Sequence, residues 1–242
     1  NSSGTVVFDD LVIQESGSFR LRFDALGVSE DAVSNQFTIR PAAANDLIRV
    51  SGNGQSAAVN EVLENPFVVR VVDAFGNPVQ GESVDFTISD TPDGASGTGL
   101  STENAVTNSS GNASAILTLG SATGDYTVNA GSGVGTVQFT AEAIAGDAVS
   151  FEFDPVSSPQ VAGSPFVISL TAFDSEGNVA ETYGGTADLS TTAGTVSPNS
   201  ISFSEGEASA NITVSAAGTN RTLTATDGQI NGTSGVFTVE PG

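Results

Sequence analysis

Val69-Arg-Val-Val-Asp73-Ala-Phe-Gly76-Asn77-Pro78-Val-Gln-Gly81-Glu-Ser-Val84-Asp-Phe86 is the stretch whose reading decides the fold. Phe67, Val69 and Val71 alternate with other residues up to Asp73, and Val84, Phe86 and Ile88 alternate beyond the break. A period of two puts one face of a strand against a core. Between the runs, Asp73 accepts hydrogen bonds from backbone N–H groups ahead of it, while Gly76 and Asn77 tolerate turn conformations closed to most residues. The segment therefore reads as strand, tight turn, strand.

The same pattern returns farther along. Asp174-Ser-Glu-Gly177-Asn178 lies 101 residues after Asp73-Ala-Phe-Gly-Asn77, preceded by Ile168, Leu170 and Ala172 and followed by Ala187 and Leu189. Asp46 and Asp147 each open an apolar run, again 101 residues apart. Gln36-Phe37-Thr-Ile39, Gln138-Phe139-Thr-Ala141 and Val236-Phe237-Thr-Val239 share a third pattern, with 102 residues between the first two Phe and 98 between the last two. A period near one hundred divides the chain into an incomplete unit (residues 1–40) and two full units (41–143 and 144–242). The remaining alternating runs of the second unit are Ile116 with Leu119, then Tyr126, Val128 and Ala130, then Val137 and Phe139. Tyr126 is expected in the core. Short strands between Gly-, Asn- and Asp-rich turns, with no helical stripe, predict an all-β chain of tandem immunoglobulin-like antiparallel β-sandwiches. The junctions at Arg40-Pro41 and Ala141–Gly146 hold no Gly/Ser spacer, so a semi-rigid rod is expected.

Composition removes whole classes of chemistry. The 242 residues contain no Cys, His, Met or Trp, and six Arg stand against 28 acidic residues, for a formal charge of −22. Thiol nucleophiles, Ser-His pairs, disulfides and zinc or iron sites with N or S ligands are excluded. Lys is absent too, which excludes Schiff bases and Lys-Asn crosslinks within the chain. A basic patch for nucleic acid is not available. No apolar run approaches a membrane span. The opening Asn1-Ser-Ser-Gly4, without Met or a signal-peptide pattern, reads as the start of a processed or cut polypeptide.

The first unit starts at Val6-Val7-Phe8, continues through Phe19-Arg-Leu21-Arg-Phe23 and ends at Phe37-Thr-Ile39, which corresponds to the last three strands of a sandwich. Half a sandwich leaves the apolar faces of Phe8, Phe19, Leu21 and Phe23 as an interface. Either chain upstream covers them, or strands of a neighbouring protomer do so.

Val69–Phe86 resembles the bacterial immunoglobulin-like repeats of invasin/intimin-type adhesins, which show V-x-D-x-x-G-N-P-V-x-G-x-x-V-x-F. Thr107-Asn-Ser-Ser-Gly111-Asn-Ala113 and Gly124-Asp-Tyr126-Thr-Val128-Asn-Ala130 resemble later strands of the same family. In residues 144–242 the Asp174–Asn178 turn survives without the Pro and the Val-x-Gly that follow it. The resemblance implies an extracellular or cell-surface repeat protein whose modules serve as spacers or contact surfaces, without catalysis.

Two readings of the Asp-x-x-Gly-Asn turns stand side by side. In one they are turns and nothing more. In the other, Asp46 with Asp73 and Asp147 with Asp174 gather at the module junctions, near Glu15 or Asp125 of the preceding unit, as oxygen ligands for Ca²⁺. No cofactor is required by the sequence, and Ca²⁺ is the ion those ligands suit. The acidic pairs Asp9-Asp10, Glu61 with Glu64, and Glu205 with Glu207 fall in or beside turns, without the pocket or aromatic subsites that glycoside hydrolysis requires, and read as solvated surface charge. The expected function is that of a stalk, adhesin or fibre segment of a bacterial surface protein, with its own modules or neighbouring protomers as partners. The alternative is a filament subunit whose half-module is completed by its neighbour. No receptor follows from the sequence.

Overall fold

A computed structural model describes residues 7–24, 26–27, 30 and 32–242. Among them there is no helix, and hence none long and apolar enough to cross a membrane. The strands gather around two separate cores. One runs from Leu47 to Ala143 and the other from Phe151 to Val239.

In the first core, a three-stranded sheet (Asn112–Ala115, Phe67–Asp73, Ala44–Ser51) faces a five-stranded one. The latter is ordered Asn104–Val106, Ser83–Asp90, Gly124–Ser132, Gly135–Ile144, Gln55–Ala58. The alternation read from the sequence is the alternation buried: Phe67, Val69, Val71, Val84, Phe86, Tyr126, Val128, Ala130 and Phe139 are all fully enclosed. One run differs. Ala113, Ala115, Leu117 and Leu119 are buried in phase and Ile116 falls between them, half-buried, because residues three apart cannot share a strand face.

Ladders are antiparallel with one exception in this module. Ala44–Ser51 pairs with Phe67–Asp73, and Gln55–Ala58 then crosses to the other sheet and runs parallel to Gly135–Ile144. The crossing turns at Gly52, whose φ is +94° and where a Cβ would stand 2.1 Å from the Pro66 carbonyl oxygen. The other module repeats the device. Ser150–Phe153 pairs with Phe166–Phe173, and Gln160–Val161 then runs parallel to Phe237–Glu240. There a single bridge between Ser150 and Asn231 joins the two faces at one edge.

The strand Phe166–Phe173 is longer than its counterpart, and this is tied to a shift of the paired Phe. Phe67 stacks on Phe139 at 4.7 Å between ring centroids, and Phe166 meets Phe237 edge-on at 6.0 Å. Val59 N–H donates to the Ile144 carbonyl and Ala162 N–H to that of Glu240, both at 2.9 Å, so Ile144 and Glu240 are equivalent ends of the last strand. Measured from those ends, Phe237 sits two residues nearer the far pole than Phe139. Phe166 is displaced from its Asp by the same two residues. The aromatic pair has thus moved one pleat as a unit, the face is preserved, and the Phe-Thr repeat is out of step with the backbone repeat.

The first unit has no core. No residue from 7 to 40 among those described is buried. Gly17–Phe19 pairs with Phe37–Ile39, and Arg22–Phe23 with Ala32–Val33. Residues 7–14 pair with no strand, so the strand expected at Val7-Phe8 is not formed, and Val6 lies outside the described residues. Phe8 stacks on Phe23 at 5.5 Å, and Phe19 approaches Phe37 at 6.4 Å.

Gly52→Ala should destabilise the second module by at least about 1–2 kcal/mol, the cost of a left-handed residue with a side chain. The clash with Pro66 adds to that. Gly54→Ala, at φ +71° with nothing within 4 Å of the added methyl, should lose only the conformational part. Urea unfolding of the two variants checks the difference.

Candidate functional site: the module joints

Asp73 closes its turn with both carboxylate oxygens. Oδ1 accepts from the backbone N–H of Phe75 and of Asn77, both at 2.9 Å. Oδ2 accepts from Ala42 N–H at 2.8 Å and from Asn77 Nδ2 at 2.9 Å. Ala42 belongs to the linker, so one carboxylate fixes the turn, the linker and the Asn77 side chain together. Asn77 then reaches into the preceding unit: its Nδ2 donates to the Gln14 carbonyl at 2.7 Å, and its Oδ1 accepts from Ser16 N–H at 2.8 Å.

The second joint is built the same way. Asp174 Oδ1 accepts from Glu176 N–H at 2.9 Å and Asn178 N–H at 2.8 Å, and Oδ2 from linker Gly146 N–H and Asn178 Nδ2, both at 3.0 Å. Asn178 Nδ2 donates across the joint to the Ser121 carbonyl at 3.0 Å. Gly76 and Gly177 make both turns possible, at φ +84° and +85°. These clasps are the reason Asp73, Asn77 and Asp174 are buried polar residues.

Burial alone would raise these carboxyls. It is outweighed by the donated hydrogen bonds, from Asn77, Ala42 and Phe75 for Asp73, which hold that carboxyl down at about 2 against an ordinary 3.8. Asp174 is lowered in the same way, against burial, by Asn178, Gly146 and Glu176. Tyr183, whose hydroxyl donates to Asp227 Oδ2 at 2.7 Å, is raised by burial and then by that carboxylate.

The four expected Ca²⁺ ligands do not converge. Asp46 is exposed on its strand, opposite Val72, and its Oδ1 accepts from Leu47 N–H at 2.8 Å. Asp147 is exposed in the linker. Glu15 and Asp125 are exposed beside the joints. Among the described residues no group of three or more His, Cys, Asp or Glu is arranged to hold a metal ion. At Asp73 and Asp174, N–H groups occupy the lone pairs that a cation would need. What sequence reasoning misses is the role of the two Asn beyond that of turn residues. Their signal was present in the repetition of Asn at the fifth position of both turns.

Asp9, Asp10, Glu61, Glu64, Glu205 and Glu207 are all exposed. A crevice of about 350 Å³ at the second joint is lined by Glu142, Ile144, Val179, Glu181 and their neighbours, with no aromatic wall. Phe8 is 54% exposed and Phe23 36%, while Phe19 and Leu21 are half-buried.

No protein-family model and no curated protein matches the sequence. Solved structures do. An Escherichia coli adhesin, FdeC, is 18% identical with a TM-score of 0.52, over 93% of this chain and 74% of that one. The two share a fold. The bacterial integrin-binding protein invasin is 20% identical over 81% of this chain and 40% of that one, with a TM-score of 0.37. Domains 4–9 of the surface-layer protein SbsC are 20% identical over 94% and 35%, at 0.32. The resemblance read from Val69–Phe86 to immunoglobulin-like adhesin modules thus extends to the architecture of the chain.

The clasp has consequences that can be measured. Asp73 and Asp174 bind fewer protons folded than unfolded, so their contribution is present above the ordinary carboxyl range and is lost as the pH falls. For Asp73 the window lies between about 4 and about 2. Acid titration followed by NMR should show the Ala42 amide losing protection in that window, and the Gly146 amide losing it as the pH falls below the ordinary carboxyl range. Asn77→Ala and Asn178→Ala should each weaken a joint by about 1 kcal/mol per lost hydrogen bond while the module cores stay intact. Calorimetry with CaCl₂ should give no saturable uptake at the joints; uptake abolished by Asp73→Asn would place Ca²⁺ there.

Proposed function

We propose that this chain is a spacer or adhesive segment of a bacterial surface protein, in which tandem sandwiches hold a distal element away from the cell. The observation that carries the reading is the clasp, built twice from the same five-residue turn. A flexible string of beads has no use for a buried carboxylate that binds turn, linker and neighbour at once. The charge of −22 adds mutual repulsion, which favours an extended, soluble molecule. The fold shared with an E. coli adhesin supports an extracellular or cell-surface setting. Antibodies against residues 41–242 should label intact cells of the source bacterium. Labelling only after permeabilisation would overturn the reading.

A second reading, a filament subunit, is favoured by one observation: the uncovered apolar face of residues 7–40. Strands from a neighbouring protomer would cover Phe8, Phe19, Leu21 and Phe23 by strand addition. Hydrogen exchange in residues 17–39 should then be rapid in dilute monomer and slow on association. Strong protection in a monomer proven by light scattering would refute it.

A further inference from the structure

The Asn of each clasp needs a carbonyl held in place by the preceding unit, and at the second joint that carbonyl belongs to Ser121. Ser121 is braced from one side. Its N–H donates to the Ser96 carbonyl at 2.9 Å, its Oγ accepts from Ser96 N–H at 3.1 Å, and the two hydroxyls lie 3.0 Å apart. A strand residue ties the same loop from the other side, Tyr126 OH donating to the Ala122 carbonyl at 2.8 Å.

The last module contains a closely similar assembly. Ser215 N–H donates to the Thr195 carbonyl at 3.0 Å, its Oγ accepts from Thr195 N–H at 2.8 Å, and Thr195 Oγ1 lies 3.1 Å from that Oγ. Arg221 ties this loop from the strand side, as Tyr126 does the other, but one residue farther on: its Nη2 donates to the carbonyl of Ala217, two beyond Ser215, where Tyr126 reaches Ala122, one beyond Ser121. Both loops end in a Gly that opens the next strand, Ser121-Ala-Thr-Gly124 and Ser215-Ala-Ala-Gly218, and these Gly pair with Ala143 and Val239 of the last strands. Gly146, whose N–H holds Asp174, lies two residues past the strand end at Ile144. Gly242 lies two past Glu240. Ser215 is exposed, and its carbonyl accepts no hydrogen bond from any described residue.

We infer that this pole, with the Ser215 carbonyl and the Gly242 amide at its centre, is a docking socket for a further module bearing an Asp-x-x-Gly-Asn turn. The Asn of that turn donates to Ser215, and its Asp accepts from Gly242. The occupant is fixed by the chemistry: the socket offers one acceptor and one donor at chain positions equivalent to Ser121 and Gly146, counted from the loop Gly and from the end of the last strand, and those are the groups that meet Asn178 and Asp174. The inference rests on the spacer reading and names what the spacer's far pole receives.

The test extends the full chain by a second copy of residues 147–242 placed directly after Gly242, so that Gly242 takes the position of Gly146. Residual dipolar couplings should give the appended module and the one before it a common alignment. The side-chain amide of the appended Asn178 should exchange about five- to tenfold more slowly than in a variant whose contact is removed, as expected for one hydrogen bond. Asn178→Ala in the appended copy alone, and separately Ser215→Ala, should uncouple the new joint; should Ser215→Ala fail to fold, the Asn178→Ala chain tests the same contact. Independent alignment of a folded appended module, with no slowing of its Asn amide, would overturn the inference. The natural joint at Ser121 is read in the same sample. If it too is uncoupled, the spacer reading itself fails, whereas loss at the new joint alone sinks only the socket.

Discussion

A carboxylate has room for about four hydrogen bonds, and in Asp73 and Asp174 that capacity is spent on three separate parts of the chain. Amides ahead in the sequence close the turn, a linker amide is drawn in from behind, and the Asn side chain is set in place. Only then can the Asn amide reach over to the preceding unit. Buried polar networks are costly when half satisfied and rigid when complete. At Asp73 and Asp174 all four hydrogen bonds are made, and each joint is held by them.

The rest of each module serves to place that turn. The strand Phe67–Asp73 delivers Asp73 to the pole because its apolar face is held by the facing sheet, and Phe166–Phe173 does the same for Asp174. The third module shows how much latitude this allows. Its aromatic pair sits one pleat away from that of the second module and still faces the core, since an even shift keeps a side chain on the same strand face. Packing can be rewritten in the middle while the joints stay alike. Behind the acceptor loop, Tyr126 and Arg221 differ in the same way: different side chains tie neighbouring backbone carbonyls of the loop, one and two residues past the Ser.

Much of this was legible in the residues. The period of two at Phe67, Val69 and Val71, and again at Ile168, Leu170 and Ala172, gave strands and their buried faces. The repeated Asp-x-x-Gly-Asn gave the turns, and composition removed most catalytic chemistry. Within the two cores, the differences between sequence and structure are ones of register. Ile116 was grouped with Leu119, and Phe139 was aligned with Phe37 and Phe237, because local alternation does not reveal which residues face each other across a ladder. The parallel pairing of Gln55–Ala58 with Gly135–Ile144 was invisible for the same reason.

By itself the sequence determined the class of fold, the position of the turns and the absence of thiol, imidazole and lysine chemistry, since each depends only on residue type and local periodicity. Tertiary structure decided what the acidic turns are for. Residue type and spacing marked Asp46 and Asp73 as acidic residues at the joint, but not what their oxygens meet. Whether a carboxylate meets a cation, water or an amide depends on which backbone donors converge on it, and those come from Ala42 and Gly146, some thirty residues away along the chain. The same holds for the Asn side chains, whose partners at Gln14 and Ser121 are farther still. Contacts of that range are set by how strands stack into modules and modules into a chain, which no short window of sequence contains.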